Sequence, residues 1–186
     1  MQNLSGPFVL AYHGCDKETA EALIAGQPFV PSENGHDWLG HGIYFWEADP
    51  IRGLSWARLQ QERGNVGEPA VVGVAISLGL CLDLTQQKSL DVIRTAYDDL
   101  AAVVSEDEIE LPRNSDEFRR ERDCLVLNYL YETMPEPRFQ TARCPFMEGK
   151  PLFDGSHIPS LTHIQIVVRD VSCIKGVFRV PADQLT

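Results

Sequence analysis

Phe8-Val9-Leu10-Ala11-Tyr12-His13-Gly14 and, some thirty residues on, Gly40-His41-Gly42-Ile43-Tyr44-Phe45 decide how this chain is read. The first stretch is an almost unbroken apolar run that ends in a polar ring and a glycine. It reads as a central strand from Phe8 to His13. The second leads through Trp38-Leu39-Gly40-His41 into a short strand, Gly42 to Trp46. Glycine lets a ligand approach the main chain closely. A histidine and a tyrosine beside such openings can hydrogen-bond and stack on a flat polar ligand. The pair therefore points to a nucleotide site.

Outward from these stretches, Asp16 reads as the cap of a helix from Lys17 to Ala25 that Gly26 closes. Pro28 to Asp37 is a loop. Asp49 as cap and Pro50 at the first position start a helix that runs to Arg63 and stops at Gly64. Pro69 to Leu78, rich in Val and Ile, is a buried strand. Thr85 caps a long helix through Val104, with Leu90, Ile93, Tyr97 and Leu100 in helical period. Ser105 to Asn114 is an acidic linker. Ser115 to Thr133 reads as another helix, with Phe118, Leu125 and Tyr129 toward the core. Strands are expected at Arg138 to Phe146, His163 to Arg169 and Gly176 to Val180, with a loop from Met147 to Leu161. Strands at both ends with helices between them make an α+β pattern over a single domain, residues 1–186. No Gly-x-Gly-x-x-Gly follows a strand and no P-loop is present.

The 186 residues carry 27 acidic and 16 basic side chains, a formal charge of −11. That balance opposes broad binding to a phosphate backbone. It leaves only a local basic patch, of which Arg119, Arg120 and Arg122 are the example; otherwise they read as a solvated helix face. No apolar run is long enough to span a bilayer, and Met1 to Pro7 has neither a basic n-region nor an apolar h-region. The expectation is a cytoplasmic protein without a membrane partner. Cys15, Cys81, Cys124, Cys144 and Cys173 are odd in number and form no Cys-x-x-Cys, so they read as reduced and mostly buried. The histidines lack ligand spacing, so no metal is expected.

The order strand-Tyr12-His13-Gly14, helix, Gly42-Ile43-Tyr44-Phe45, helix resembles the NAD-dependent ADP-ribosyltransferases of the diphtheria-toxin and poly(ADP-ribose) polymerase branch. The likeness is strongest over residues 8–60. It implies an ADP-ribosyltransferase-like split β-sheet core with flanking helices, and NAD as substrate. It also implies that His13 bonds a ribose hydroxyl, that Gly14 offers its main chain to the nicotinamide carboxamide, and that Tyr44 stacks on the nicotinamide ring. Such stacking of a flat cation gains about 0.5–2 kcal/mol. Ser55 and Trp56 are the counterparts of a serine and a second ring that the family carries on the following helix.

The family's third element is a glutamate on a late strand. Here that strand reads Thr162-His163-Ile164-Gln165-Ile166-Val167-Val168-Arg169-Asp170 and holds none. Alternation puts His163, Gln165, Val167 and Arg169 on one face. Gln165 takes the glutamate's place: it can bond a ribose hydroxyl but brings no negative charge to a developing cation. Glu148 and Glu47 are the carboxylates that would help it. The resemblance implies mono-ADP-ribosyl transfer to a macromolecular acceptor, a protein ahead of a nucleic acid. Small stand-alone domains of this kind are similar to bacterial toxins and effectors, which implies a neutralising partner protein. The missing glutamate also suits a catalytically inactive module that binds NAD or ADP-ribose.

Overall fold

The computed structural model describes residues 8–106, 110–116 and 118–186. The expectation for Met1 to Pro7 and the middle of the acidic linker lie outside them. The class is α+β: one seven-stranded sheet in the order β4-β5-β6-β2-β1-β3-β7, with four helices. The strands are β1 (Phe8–Asp16), β2 (Ile43–Glu47), β3 (Pro69–Ser77), β4 (Cys81–Asp83), β5 (Thr141–Phe146), β6 (His163–Val168) and β7 (Ile174–Arg179). The helices are α1 (Lys17–Ile24), α2 (Pro50–Glu62), α3 (Gln87–Glu106) and α4 (Glu121–Thr133). All pairings are antiparallel except β4 with β5.

Two cap predictions hold in detail. The Asp16 carboxylate accepts from the Glu18 amide at 3.1 Å at the start of α1, and Asp49 accepts from the Arg52 amide at 2.8 Å at the start of α2. Asp16 also takes the Gly67 and Glu68 amides, at 2.6 and 3.1 Å, which ties the chain ahead of β3 to the end of β1.

The sheet is covered on both sides. On one face Ala11, Phe45, Val72, Val74, Ile76, Ile166 and Val168 pack with Ala20 and Leu23 of α1. On the other, α2 covers β1 and β3 through Leu54 against Tyr12 and Val71. There α3 and α4 cover β4, β5 and β6, through Ala96, Leu100, Val126, Leu127 and Leu130 against Leu82, Ala142, Phe146 and Val167. Full burial of each large side chain removes apolar surface worth about 1.5–3 kcal/mol from water.

Three expectations need correction. The last long helix begins at Glu121, not Ser115. Asp116 accepts from the Phe118 and Arg119 amides, both at 2.7 Å, and the Ser115 amide and hydroxyl bond the Glu121 carboxylate at 3.0 and 2.9 Å. Such local side-chain bonds compete with helix formation. Phe118 and Leu125 are exposed; the buried face of α4 is Cys124, Val126, Leu127, Leu130 and Tyr131. On α3, Leu100 is buried and Ile93 packs on the same cluster, as the period implies, whereas Leu90 and Tyr97 are exposed and Ala96 takes the second buried place. The short strand β4, missed in the run Leu80-Cys81-Leu82, forms the edge of the sheet. All five cysteines are free, with Cys15, Cys124 and Cys173 buried.

Candidate functional site

The ladder between β1 and β2 joins Ala11 to Glu47 and Tyr12 to Trp46, and stops there. By contrast, β1 pairs with β3 along its whole length, Phe8 to Asp16. The two central strands therefore part at His13. The His13 ring takes over the pairing: Nδ1 lies 2.8 Å from the Tyr44 carbonyl oxygen. A carbonyl can only accept, so Nδ1 carries the proton and Nε2 presents a lone pair. Phe29 and Phe45 pack against the ring, with centroids at 5.5 and 5.6 Å. Desolvation by this packing lowers the His13 pKa more than the bond to Tyr44 raises it, which favours the neutral ring.

Gly14 follows at the parting, and its absent side chain is required. A Cβ there would collide with the Gly53 carbonyl oxygen of α2 and come 3.4 Å from the Ala57 Cβ. Glycine thus serves to seat α2 on β1, and the α2 side of Gly14 is closed. Ser55 is set apart from the site. Gly53 and Ala57 take the sheet-facing side of α2, and Ser55, about 200° round the helix from Gly53, is exposed. Trp56 packs its ring on Trp46 at 5.8 Å.

Tyr44 is held at its hydroxyl. It donates to the Gly40 carbonyl at 2.6 Å and accepts from the Leu39 amide at 2.8 Å. Burial pushes its phenol well above the ordinary range. With its hydroxyl taken up by the turn, the part of the side chain left to present is its ring. Its bonds shape the Trp38-to-Gly42 turn, which α4 also holds: Asn128 accepts from the His41 amide at 2.9 Å, and Tyr131 donates to the Leu39 carbonyl at 3.0 Å. Gly40 has φ of +76°, and a Cβ there would sit 2.7 Å from Asn128 Oδ1. Here glycine is needed for both the turn and the close approach.

Register sets Tyr12, Trp46, Gln165 and Cys144 in one row across β1, β2, β6 and β5. His13 carries its ring on the face of Phe45, so its side chain and that of Gln165 approach from the two sides of the parting. Gln165 is oriented by a neighbour that the alternation named but left without a role. The His163 Nδ1 bonds the Leu161 carbonyl at 2.8 Å, and the His163 Nε2 lies 3.1 Å from Gln165 Nε2. With Nδ1 protonated, Nε2 accepts the amide N–H, and Gln165 is left with its carbonyl oxygen to offer.

Of the two helper carboxylates, Glu148 joins this cluster. Its Oε2 lies 3.0 Å from Arg52 Nη2 and its Oε1 3.7 Å from His163 Nε2. Glu47 is engaged elsewhere: Arg143 donates to both its oxygens, at 2.6 and 2.9 Å. Arg52 and His163 were not legible as site residues, although Arg52 opens α2 and His163 alternates with Gln165. Among the described residues, Trp46 Nε1, Arg52 Nε, Glu148 Oε1 and Arg169 Nη1 are buried without a hydrogen-bond partner. Native proteins rarely leave such groups unsatisfied.

The His163 side chain is 1% exposed, and desolvation lowers its pKa below the ordinary 6.5 despite the opposing bond to Leu161 and the Glu148 charge. Its contribution to stability is present above pH 6.5 and is lost as pH falls below that value, because the unfolded chain takes up the proton first. Urea unfolding should show the folded state weakening from pH 7 toward 5.5. His163→Gln should reduce that slope.

No family model matches the chain, and no solved structure matches it. An uncharacterized protein of Methanocaldococcus jannaschii is 33% identical over 54 residues, which are 29% of this chain and 25% of that protein. The match thus spans about a quarter of the relative's length.

Proposed function

We propose that the chain is a mono-ADP-ribosyltransferase that takes NAD as substrate, with an ADP-ribosyltransferase-like split sheet. The parting of β1 and β2, with the His13 imidazole bridging to the Tyr44 carbonyl, is the observation that carries this reading. A strand pair that separates beside a main-chain glycine and a neutral histidine acceptor offers a place for a dinucleotide's riboses.

In this reading His13 Nε2 accepts from the adenosine-side ribose, and the Gln165 carbonyl oxygen accepts from a hydroxyl of the nicotinamide ribose. The strands that carry them stand two strand spacings apart, about 10 Å, and the two side chains leave opposite faces of the sheet. The C1′–N bond breaks heterolytically. Its electron pair returns to the nicotinamide ring, which leaves neutral, and positive charge develops on the ribose. Glu148 is the carboxylate nearest the Gln165 cluster, and its ion pair with Arg52 offsets part of the negative field it would bring to the developing charge. A nucleophile of the acceptor then bonds to C1′ and gives up its proton to solvent. A ribose hydroxyl beside Gln165 would also offer a partner to the buried, unsatisfied polar atoms there.

The test is incubation with NAD labelled in the adenosine half, with protein, RNA and DNA acceptors present. Nicotinamide should appear in step with label on an acceptor. The amide at position 165 favours a second reading, a module that binds NAD or ADP-ribose without cleaving it. Binding without nicotinamide release, unchanged by Gln165→Ala, would establish that reading instead.

A further inference from the structure

A cavity of about 300 Å³ opens between α3, α4 and β5. That is the small end of the range for ligand sites, with room for one nucleotide unit and not for a dinucleotide. Trp38, Tyr97 and Phe146 supply rings, Arg94, Arg120 and Arg122 supply guanidinium groups, and Asp123 is the carboxylate among the described lining residues. Apolar side chains of α4 form the floor.

Two of the guanidinium groups are held and the third is exposed. Arg120 lies over the Trp38 ring at 4.1 Å and the Phe146 ring at 5.0 Å. Arg122 donates from Nε to the Pro112 carbonyl at 2.7 Å. Arg94 is 72% exposed and meets Asp91 only at 3.9 Å. Guanidinium forks match phosphate oxygens, and aromatic rings stack on nucleobases for about 1–3 kcal/mol each. We infer that this cavity binds a nucleoside monophosphate unit, its base beside the Tyr97 ring and the stacked Arg120–Trp38 pair and its phosphate at Arg94 and Arg122. The cavity adjoins the candidate site, since Cys144 lines it and stands opposite Gln165 in the β5–β6 pair, and Phe146 lies 5.9 Å from His163. If the transferase reading holds, this is the acceptor's side.

The binding claim stands apart from NAD cleavage and is tested apart from it. UMP, whose base NAD lacks, is titrated into the protein by calorimetry and tryptophan fluorescence, beside uridine and a 5′-phosphorylated oligouridine. Saturable UMP binding is expected, at least tenfold tighter than uridine and weakened at least tenfold in Arg94→Gln/Arg122→Gln. Tighter binding of the oligouridine than of UMP assigns the unit to a nucleic-acid end, and equal binding to a free nucleotide. No saturation at millimolar UMP, equal binding of uridine, or affinity unchanged in the double variant overturns the inference. Arg94→Gln alone, at an exposed position, serves if the double variant fails to fold.

Discussion

His13→Asn should lower nicotinamide release from NAD about a hundredfold while leaving the melting temperature nearly unchanged. The asparagine Nδ2 stands where the imidazole Nδ1 stands, so it can still donate to the Tyr44 carbonyl, which accepts at 2.8 Å in the parent. What it lacks is the second nitrogen, the acceptor assigned to a ribose hydroxyl. Misplacing a reacting centre by about 1 Å costs a rate factor of about 10², which sets the expected size. His13→Ala removes both functions and leaves the Tyr44 carbonyl short of a partner, adding a stability loss of about 1–3 kcal/mol. Steady-state kinetics with NAD, paired with thermal melts, separates the two roles. If His13→Asn cleaves NAD as fast as the parent, the histidine is a bridge between strands and nothing more.

Gly14→Ala should destabilise the fold by about 3 kcal/mol, the upper part of the usual range for overpacking. The new methyl group would meet the Gly53 carbonyl oxygen, a main-chain atom inside α2, and the Ala57 side chain. Neither is the end of a flexible side chain, so relief requires α2 to move off β1. Gly176→Ala is the control, because a Cβ at Gly176 meets nothing within 4 Å; it should change stability by less than about 0.5 kcal/mol. Urea denaturation of the two variants compares them directly. A mild effect at Gly14 would mean that α2 is less closely seated, and that the glycine is free to face a ligand.

Much of the framework was legible in the chain because it is written in local signals. Asp16 and Asp49 cap their helices as their positions imply, and the period-two pattern of β6 correctly set His163 and Gln165 on one face. The misses are non-local. The start of α4 is delayed by Asp116 and by Ser115 bonding Glu121, a competition that composition does not reveal. The parting of β1 and β2 depends on register between segments thirty residues apart. Arg52 and Glu148 meet across |i−j| of 96 residues, and neither carries a motif. Tyr44 was legible as a ring near a glycine turn, but its hydroxyl bonds to Leu39 and Gly40 are not, because they depend on how the turn closes. Gly14 illustrates a signal with two meanings, since a glycine that admits a ligand and one that admits a helix look the same in sequence.

The central claim is that NAD lies in the parting between β1 and β2. A crystal structure of the protein with NAD, collected on Gln165→Ala to slow any cleavage, tests it most directly. The account predicts a ribose hydroxyl at His13 Nε2, the nicotinamide ribose beside position 165 and Glu148, and the nicotinamide ring against Tyr44. NAD found elsewhere on the molecule, with His13 Nε2 touching no part of it, would contradict the account.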